Sequence, residues 1–165
     1  MIFIRFRGTR SLQSPLFFAV LLAVTIAQAE PWRLETWSTA FDYTSASRII
    51  DYQPTAPASR AWHLCIAYPH LKDAYWLNVN YGMVQEAKRL GVAFTLVEAG
   101  GYPNLERQRQ QVEQCAGGET DALIVGTVSF RGLNDSITRI AKTMPVLATV
   151  NDIDDNGISA KSGVS

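Results

Sequence analysis

The chain has 165 residues, equal numbers of acidic and basic side chains, 47% hydrophobic residues and a mean hydropathy of +0.00. That composition fits one ordinary globular domain with a real core, and it excludes a nucleic-acid partner, because no basic run or basic helical stripe could follow a phosphate backbone. Two cysteines, Cys65 and Cys115, are too few for a disulfide scaffold and lack the Cys-x-x-Cys spacing of a redox motif.

Residues 1–29 read as a secretory signal peptide. Arg5, Arg7 and Arg10 precede an almost unbroken apolar run from Leu16 to Ala27, and Ala27-Gln28-Ala29 offers the small residues a signal peptidase requires. The run is shorter than the ~20 residues that cross a bilayer, so cleavage before Glu30 is expected rather than anchoring. No other segment is long and apolar enough to span. Export places both cysteines in an oxidising compartment, where two outcomes are open: a Cys65–Cys115 disulfide, or two buried thiols acting as small hydrophobes.

Residues 30–60 scatter Trp32, Trp37, Phe41 and Tyr43 among polar residues and close with Pro54 and Pro57, the pattern of an N-terminal extension and linker. From Ala61 the pattern becomes regular. Ala61 to Tyr68 is a short apolar run ended by Pro69, a strand buried on both faces. Leu77, Tyr81, Val84, Ala87 and Leu90 recur at helical spacing before Gly91, so they predict an amphipathic helix with a glycine stop. Val92 to Val97 gives a second strand, Gly100-Gly101 a turn, and Leu105 to Ala116 a strongly polar helix. Ala122 to Gly126 is a third strand, Leu133, Ile137, Ile140, Ala141 and Met144 mark a third helix, and Pro145 stops it before a fourth strand, Val146 to Val150.

This alternation over residues 61–165 is an α/β pattern: a parallel sheet of about four strands with helices on both faces. In such sheets ligands bind beyond the carboxyl ends of the strands. Four loops therefore hold the candidate site: Tyr68 to Trp76, Glu98 to Pro103, Thr127 to Arg131, and Asn151 to Gly157.

Neither dinucleotide nor P-loop glycines follow the first strand, which disfavours a nucleotide. Asp152, Asp154, Asn156 and Gly157 open like a calcium loop, but Gly163 stands where a bidentate glutamate should close it, and an acidic turn is expected instead. His63 and His70 have no third ligand at metal spacing and read as ordinary strand or surface residues, with no metal and no cofactor implied. Ser129 has no histidine and acid in an elbow context and reads as the N-cap of the third helix. No catalytic set emerges, so the chain is read as a binding protein and not an enzyme. A secreted thiol enzyme or hydrolase would need a base near its nucleophile, and neither histidine offers one.

The first loop is the informative one. Tyr68, Tyr75 and Trp76 flank Lys72 and Asp73, and Tyr102 sits in the neighbouring loop. Aromatic faces attract quaternary ammonium groups, while indole N–H and phenol O–H donate to an oxyanion, so the set suits a small methylated zwitterion. The same residues fit a second reading, in which Tyr75 and Trp76 are first-turn aromatics packed under the sheet edge and Asp73 caps the helix.

From Arg60 onward, Arg60-Ala61-Trp62-His63-Leu64-Cys65, Tyr68-Pro69-His70-Leu71-Lys72-Asp73-Ala74-Tyr75-Trp76-Leu77, Asn80-Tyr81-Gly82-Met83, Val97-Glu98-Ala99-Gly100-Gly101-Tyr102 and Gln114-Cys115 resemble the TorT-type periplasmic trimethylamine N-oxide sensors, within the type I periplasmic binding proteins. The resemblance implies a periplasmic location and trimethylamine N-oxide as ligand. It implies the periplasmic domain of a TorS-type sensor histidine kinase as partner, and Tyr75, Trp76, Tyr68, Asp73 and Tyr102 as ligand-binding residues. Family members fold two lobes around a cleft, so the chain is expected to supply the N-terminal lobe with the second lobe absent. A sugar- or autoinducer-binding member serving a transporter or a quorum-sensing kinase is the alternative; Asn151, Asp152 and Arg131 are the polar groups that would favour it.

Overall fold

The computed structural model describes residues 31–39, 42–154 and 157–163; the secretory signal expected over 1–29, Phe41 and Asn156 lie outside the described residues. The segment read as extension and linker contains a hairpin, in which β1 (Trp32–Trp37) pairs antiparallel with β2 (Ser47–Tyr52) and sets Trp32 opposite Tyr52 and Leu34 opposite Ile50. Its turn is built on Asp42, whose Oδ1 accepts from the Thr44 backbone N–H at 2.9 Å and hydroxyl at 2.6 Å.

Beyond it the α/β alternation holds: β3 (His63–Tyr68), α1 (Ala74–Leu90), β4 (Ala93–Glu98), α2 (Leu105–Ala116), β5 (Ala122–Val125), α3 (Asn134–Ile140), β6 (Val146–Thr149) and β7 (Ala160–Ser162). The strands form one parallel sheet in the order β4-β3-β5-β6-β7. It has one strand more than the sequence pattern, because β7 is only Ala-Lys-Ser and too short to show a period. The chain leaves β3 toward β4 and returns to its other side at β5, so the strand order reverses at β3.

Alternation along β3 divides the core. Cys65 and Ala67 join Val112 and Cys115 of α2 and Ile137 and Ile140 of α3 on one face, while Ile66 and Tyr68 meet Trp76, Val79 and Met83 of α1 on the other. Helix α1 opens on Asp73, whose carboxylate accepts from the Trp76 N–H, and closes on Gly91 at φ 72°, whose N–H reaches the Ala87 and Lys88 carbonyls. Of the expected stripe Ala87 is buried, but Leu77 and Tyr81 are exposed, and the first half of the helix buries Trp76 instead, with Val79 and Met83 packed beside it. Two apolar rows at helical spacing compete on this helix, and the docking of Trp76 in the first turn selects one of them. Ser129 does not cap α3 either. Leu133 stands at that position, and the Ser129 hydroxyl accepts from the Gly132 N–H at 3.1 Å, closing the preceding turn.

The Cys65 and Cys115 sulfurs are bonded, tying β3 to α2 across a sequence separation of 50 residues. By the loop-entropy relation a cross-link of that span disfavours the unfolded chain by about 4 kcal/mol. Replacing both cysteines with alanine should lower the unfolding free energy by about 2–4 kcal/mol in equilibrium urea titration, and dithiothreitol should destabilise the native chain to a similar degree.

Tyr68 is wholly buried between the sheet and α1, and its hydroxyl has no hydrogen-bond partner in the structure. Burial disfavours the phenolate and pushes the Tyr68 pKa up to about 12. An unfolded tyrosine ionises near 10, so this group's contribution to stability is complete below about pH 10 and is lost as pH rises toward 12. Tyr68→Phe removes a titrating group and an unpaired hydroxyl together. Thermal melts should show the variant matching or exceeding the native chain at pH 7 and losing less stability than it between pH 9 and pH 11.

Candidate functional site

The site is assembled at the carboxyl ends of the strands, around Trp76. The Asp73 Oδ1 accepts the Trp76 backbone N–H at 2.9 Å, fixing the first turn of α1 so that the indole, only 2% exposed, lies across the end of β5. There it meets Gly126. A Cβ on that residue would stand 2.4 Å from Trp76 Cη2, so only glycine leaves room for the ring. Behind the indole lies the Tyr68 ring, with centroids 5.0 Å apart.

Polar contacts then connect the four loops. The Trp76 Nε1–H donates to the Tyr102 hydroxyl oxygen at 3.4 Å, and the Asn151 side-chain amide donates to that same oxygen at 3.3 Å and to the Thr127 carbonyl at 2.7 Å. Asn151 is presented from Val150, which holds φ 68°, a left-handed conformation that β-branched residues rarely adopt. Gln108 of α2, fully buried, donates to the Gly126 carbonyl at 2.9 Å and accepts from the Val128 N–H at 2.8 Å, clamping the loop after β5. The Gly100-Gly101 turn approaches the first loop closely: the Gly101 N–H donates to the Pro69 carbonyl at 2.8 Å, and Lys72 Nζ donates to the Gly100 carbonyl at 2.6 Å.

The five sequence-selected residues therefore converge, but in two layers. Tyr68 and Trp76 form a buried inner layer, while Tyr75 and Tyr102 stand outside it, 46% and 47% exposed. The Tyr75 ring centroid is 6.0 Å from that of Trp76. Asp73 acts as the helix cap and keeps its carboxylate half-exposed. Sequence reasoning passed over His70, which is buried here, its ring 5.4 Å from Tyr102 and 6.4 Å from Trp76 in edge-on geometry, with Nε2 3.7 Å from Asp73 Oδ2. It also passed over Gly126 and Gln108. The one hint of the former was a glycine ending an apolar strand.

Two features of this edge decide its chemistry. Tyr75 and Tyr102 are half-exposed aromatic rings, a side-chain type that attracts methylated cations. The Tyr102 oxygen already accepts two hydrogen bonds, from Trp76 and Asn151, so its own proton is the group left to donate outward, toward an oxyanion. The acidic residues after β6 are engaged otherwise: Asp152 pairs with Lys161, and Asp154 lies 3.3 Å from Arg131 and accepts from Asn134 at 3.1 Å. Among the described residues no three metal-binding side chains cluster, and no helix is long and apolar enough to cross a membrane.

Comparison with known proteins agrees with this architecture. Residues 61–163 match the family of periplasmic binding proteins and sugar binding domains of the LacI family. The periplasmic protein TorT of Escherichia coli K12 is 42% identical over 109 residues, 65% of this chain and 31% of its own length. A solved ABC transporter solute binding protein from Bradyrhizobium sp. BTAi1, with bound bis-tris, is 45% identical with a TM-score of 0.81, over 86% of this chain and 43% of its own. The complex of TorT with the TorS sensor domain, solved in the presence of trimethylamine N-oxide, is 44% identical with a TM-score of 0.57, over 62% of this chain and 36% of its own. The chain thus spans about a third of the length of the curated relatives it matches. Such proteins bind solutes and do not catalyse. With its parallel sheet and these matches, the chain belongs to the family of periplasmic binding proteins and sugar binding domains of the LacI family.

Proposed function

We propose that the chain is a periplasmic sensor component that recognises trimethylamine N-oxide at its carboxyl edge and signals through the periplasmic domain of a TorS-type histidine kinase. The observation that carries the reading is the hydrogen-bond state of Tyr102, whose oxygen is saturated as an acceptor and whose proton is left for a ligand oxygen. An N-oxide presents a strong acceptor on a methylated nitrogen, so one phenol can donate to the oxygen while its neighbour Tyr75 packs against the methyl groups. Trp76 touches both Tyr75 and Tyr102, Tyr68 packs behind Trp76, and Asp73 fixes the helix that carries Tyr75 and Trp76. Similarity to TorT and to its complex with the TorS sensor domain supports both the ligand and the partner. The kinase would respond because the ligand binds one conformation better than another, since only differential affinity shifts an equilibrium.

A second reading, solute capture for a transporter, is favoured by one observation. The Bradyrhizobium ABC transporter solute binding protein matches 86% of this chain, more than the TorT structures do, and was solved with bound bis-tris.

Isothermal titration of the chain tests the ligand. Trimethylamine N-oxide should bind saturably, and Tyr102→Phe, which keeps the ring and loses the proton, should weaken it by about tenfold or more, the worth of a hydrogen bond to a charged acceptor. Tetramethylammonium, which has no oxygen, should bind both forms alike. Equal affinity of the two forms for the N-oxide, or heat from a pentose with none from the N-oxide, would overturn the reading.

A further inference from the structure

We propose that β1 is a dimerisation edge, at which two copies of the chain pair antiparallel about a two-fold axis passing through Leu34. The hairpin lies outside residues 61–163 that match the family, and among the described residues β1 has no strand beside it other than β2. A two-stranded ribbon is marginal by itself, and an unpaired edge is a template for another strand. Within Trp32–Trp37 there is no proline, lysine or bulge, and the two charges the strand carries, Arg33 and Glu35, are of opposite sign, so they bar a like-charged register and not every register.

The ladder fixes which groups face outward. The Ser38 N–H donates to the Ala46 carbonyl at 2.9 Å, so Ser38 and the positions two and four before it bond toward β2, and the N–H and C=O groups of Arg33, Glu35 and Trp37 point away from it. Side chains divide in the same rhythm. Trp32 and Leu34 share one face with Ile50 and Tyr52, apolar yet open, with Trp32 58% and Leu34 40% exposed; Arg33 and Glu35 share the other face with Asp51 and Ile49.

A two-fold axis perpendicular to the ribbon keeps like faces together and must set outward-pointing residues opposite each other. Registers centred on Arg33 or on Glu35 oppose two like charges at the axis. The register centred on Leu34 does the reverse: Arg33 of each copy stands opposite Glu35 of the other, each pair exchanges both backbone hydrogen bonds, and the two Leu34 side chains meet at the axis. This charge complementarity selects a second copy of the chain as the occupant. The result is a four-stranded antiparallel sheet whose apolar face runs continuously through Trp32, Leu34, Ile50 and Tyr52 of both copies.

Analytical ultracentrifugation of the full chain tests it. The native chain should sediment as a reversible dimer. Arg33→Glu and Glu35→Arg should each raise the dimer dissociation constant by about tenfold, since each places like charges opposite one another at two symmetric positions. The combined charge swap, Arg33→Glu with Glu35→Arg, should restore dimerisation and thereby separate a lost pairing from a lost hairpin. A native chain that stays monomeric at every attainable concentration, a single reversal that dimerises like the native chain, or a swap that fails to recover it would overturn the proposal.

Discussion

The contact between the Trp76 indole and the backbone of Gly126 organises the carboxyl edge of this protein. A ring that must lie within van der Waals distance of a glycine can do so only if the helix carrying it begins at a fixed place, and Asp73 sets that place by capping α1. Once Trp76 is down, the row Trp76, Val79, Met83 and Ala87 is the one that faces the sheet, and Leu77 and Tyr81 turn outward. Tyr68 is sealed beneath the same ring, and the Nε1–H of Trp76 becomes one of two donors that orient Tyr102. Gln108 completes the arrangement from the opposite face of the sheet by holding the Gly126 carbonyl and the Val128 N–H.

At the proposed binding edge the aromatics fall into two layers. The inner aromatics are packed as a core is packed, and their role is positional. The outer residues, Tyr75 and Tyr102, remain about half-exposed, and the Tyr102 oxygen accepts from Trp76 and Asn151. Such pre-organisation lowers the ordering cost of recognising a small solute, which has few atoms with which to offset it. The strained backbone at Val150 fits the same picture, since it turns the Asn151 amide toward Tyr102 and Thr127.

Much of this was readable in the residues. The β3, α2 and β6 segments follow from apolar runs and breakers, with α2 matching the expected span Leu105–Ala116, because those signals are local. Asp73 as a cap was readable for the same reason. What escaped was non-local. The two apolar rows of α1 are equivalent until Gly126 is known to lie opposite Trp76. His70 looks like an isolated surface histidine until the fold brings Tyr102 and Trp76 to its ring. The hairpin hides because its strands are only six residues long and β2 sets Ile49 and Ile50 side by side, so no clean two-residue period shows, and β7 because three residues carry no period. The candidate residues lie near one another at the strand ends, but their separation into a buried pair and an exposed pair depends on packing that spacing alone does not encode.

Equilibrium urea unfolding of Gly126→Ala tests most directly whether the Trp76–Gly126 contact underlies the rest. A methyl group at 2.4 Å from the indole must displace the ring or the strand, so the variant should lose at least about 2 kcal/mol of stability, at the level expected for overpacking a well-filled core. An unfolding midpoint and slope equal to those of the native chain would mean that the ring is not held against that glycine, and would contradict the account.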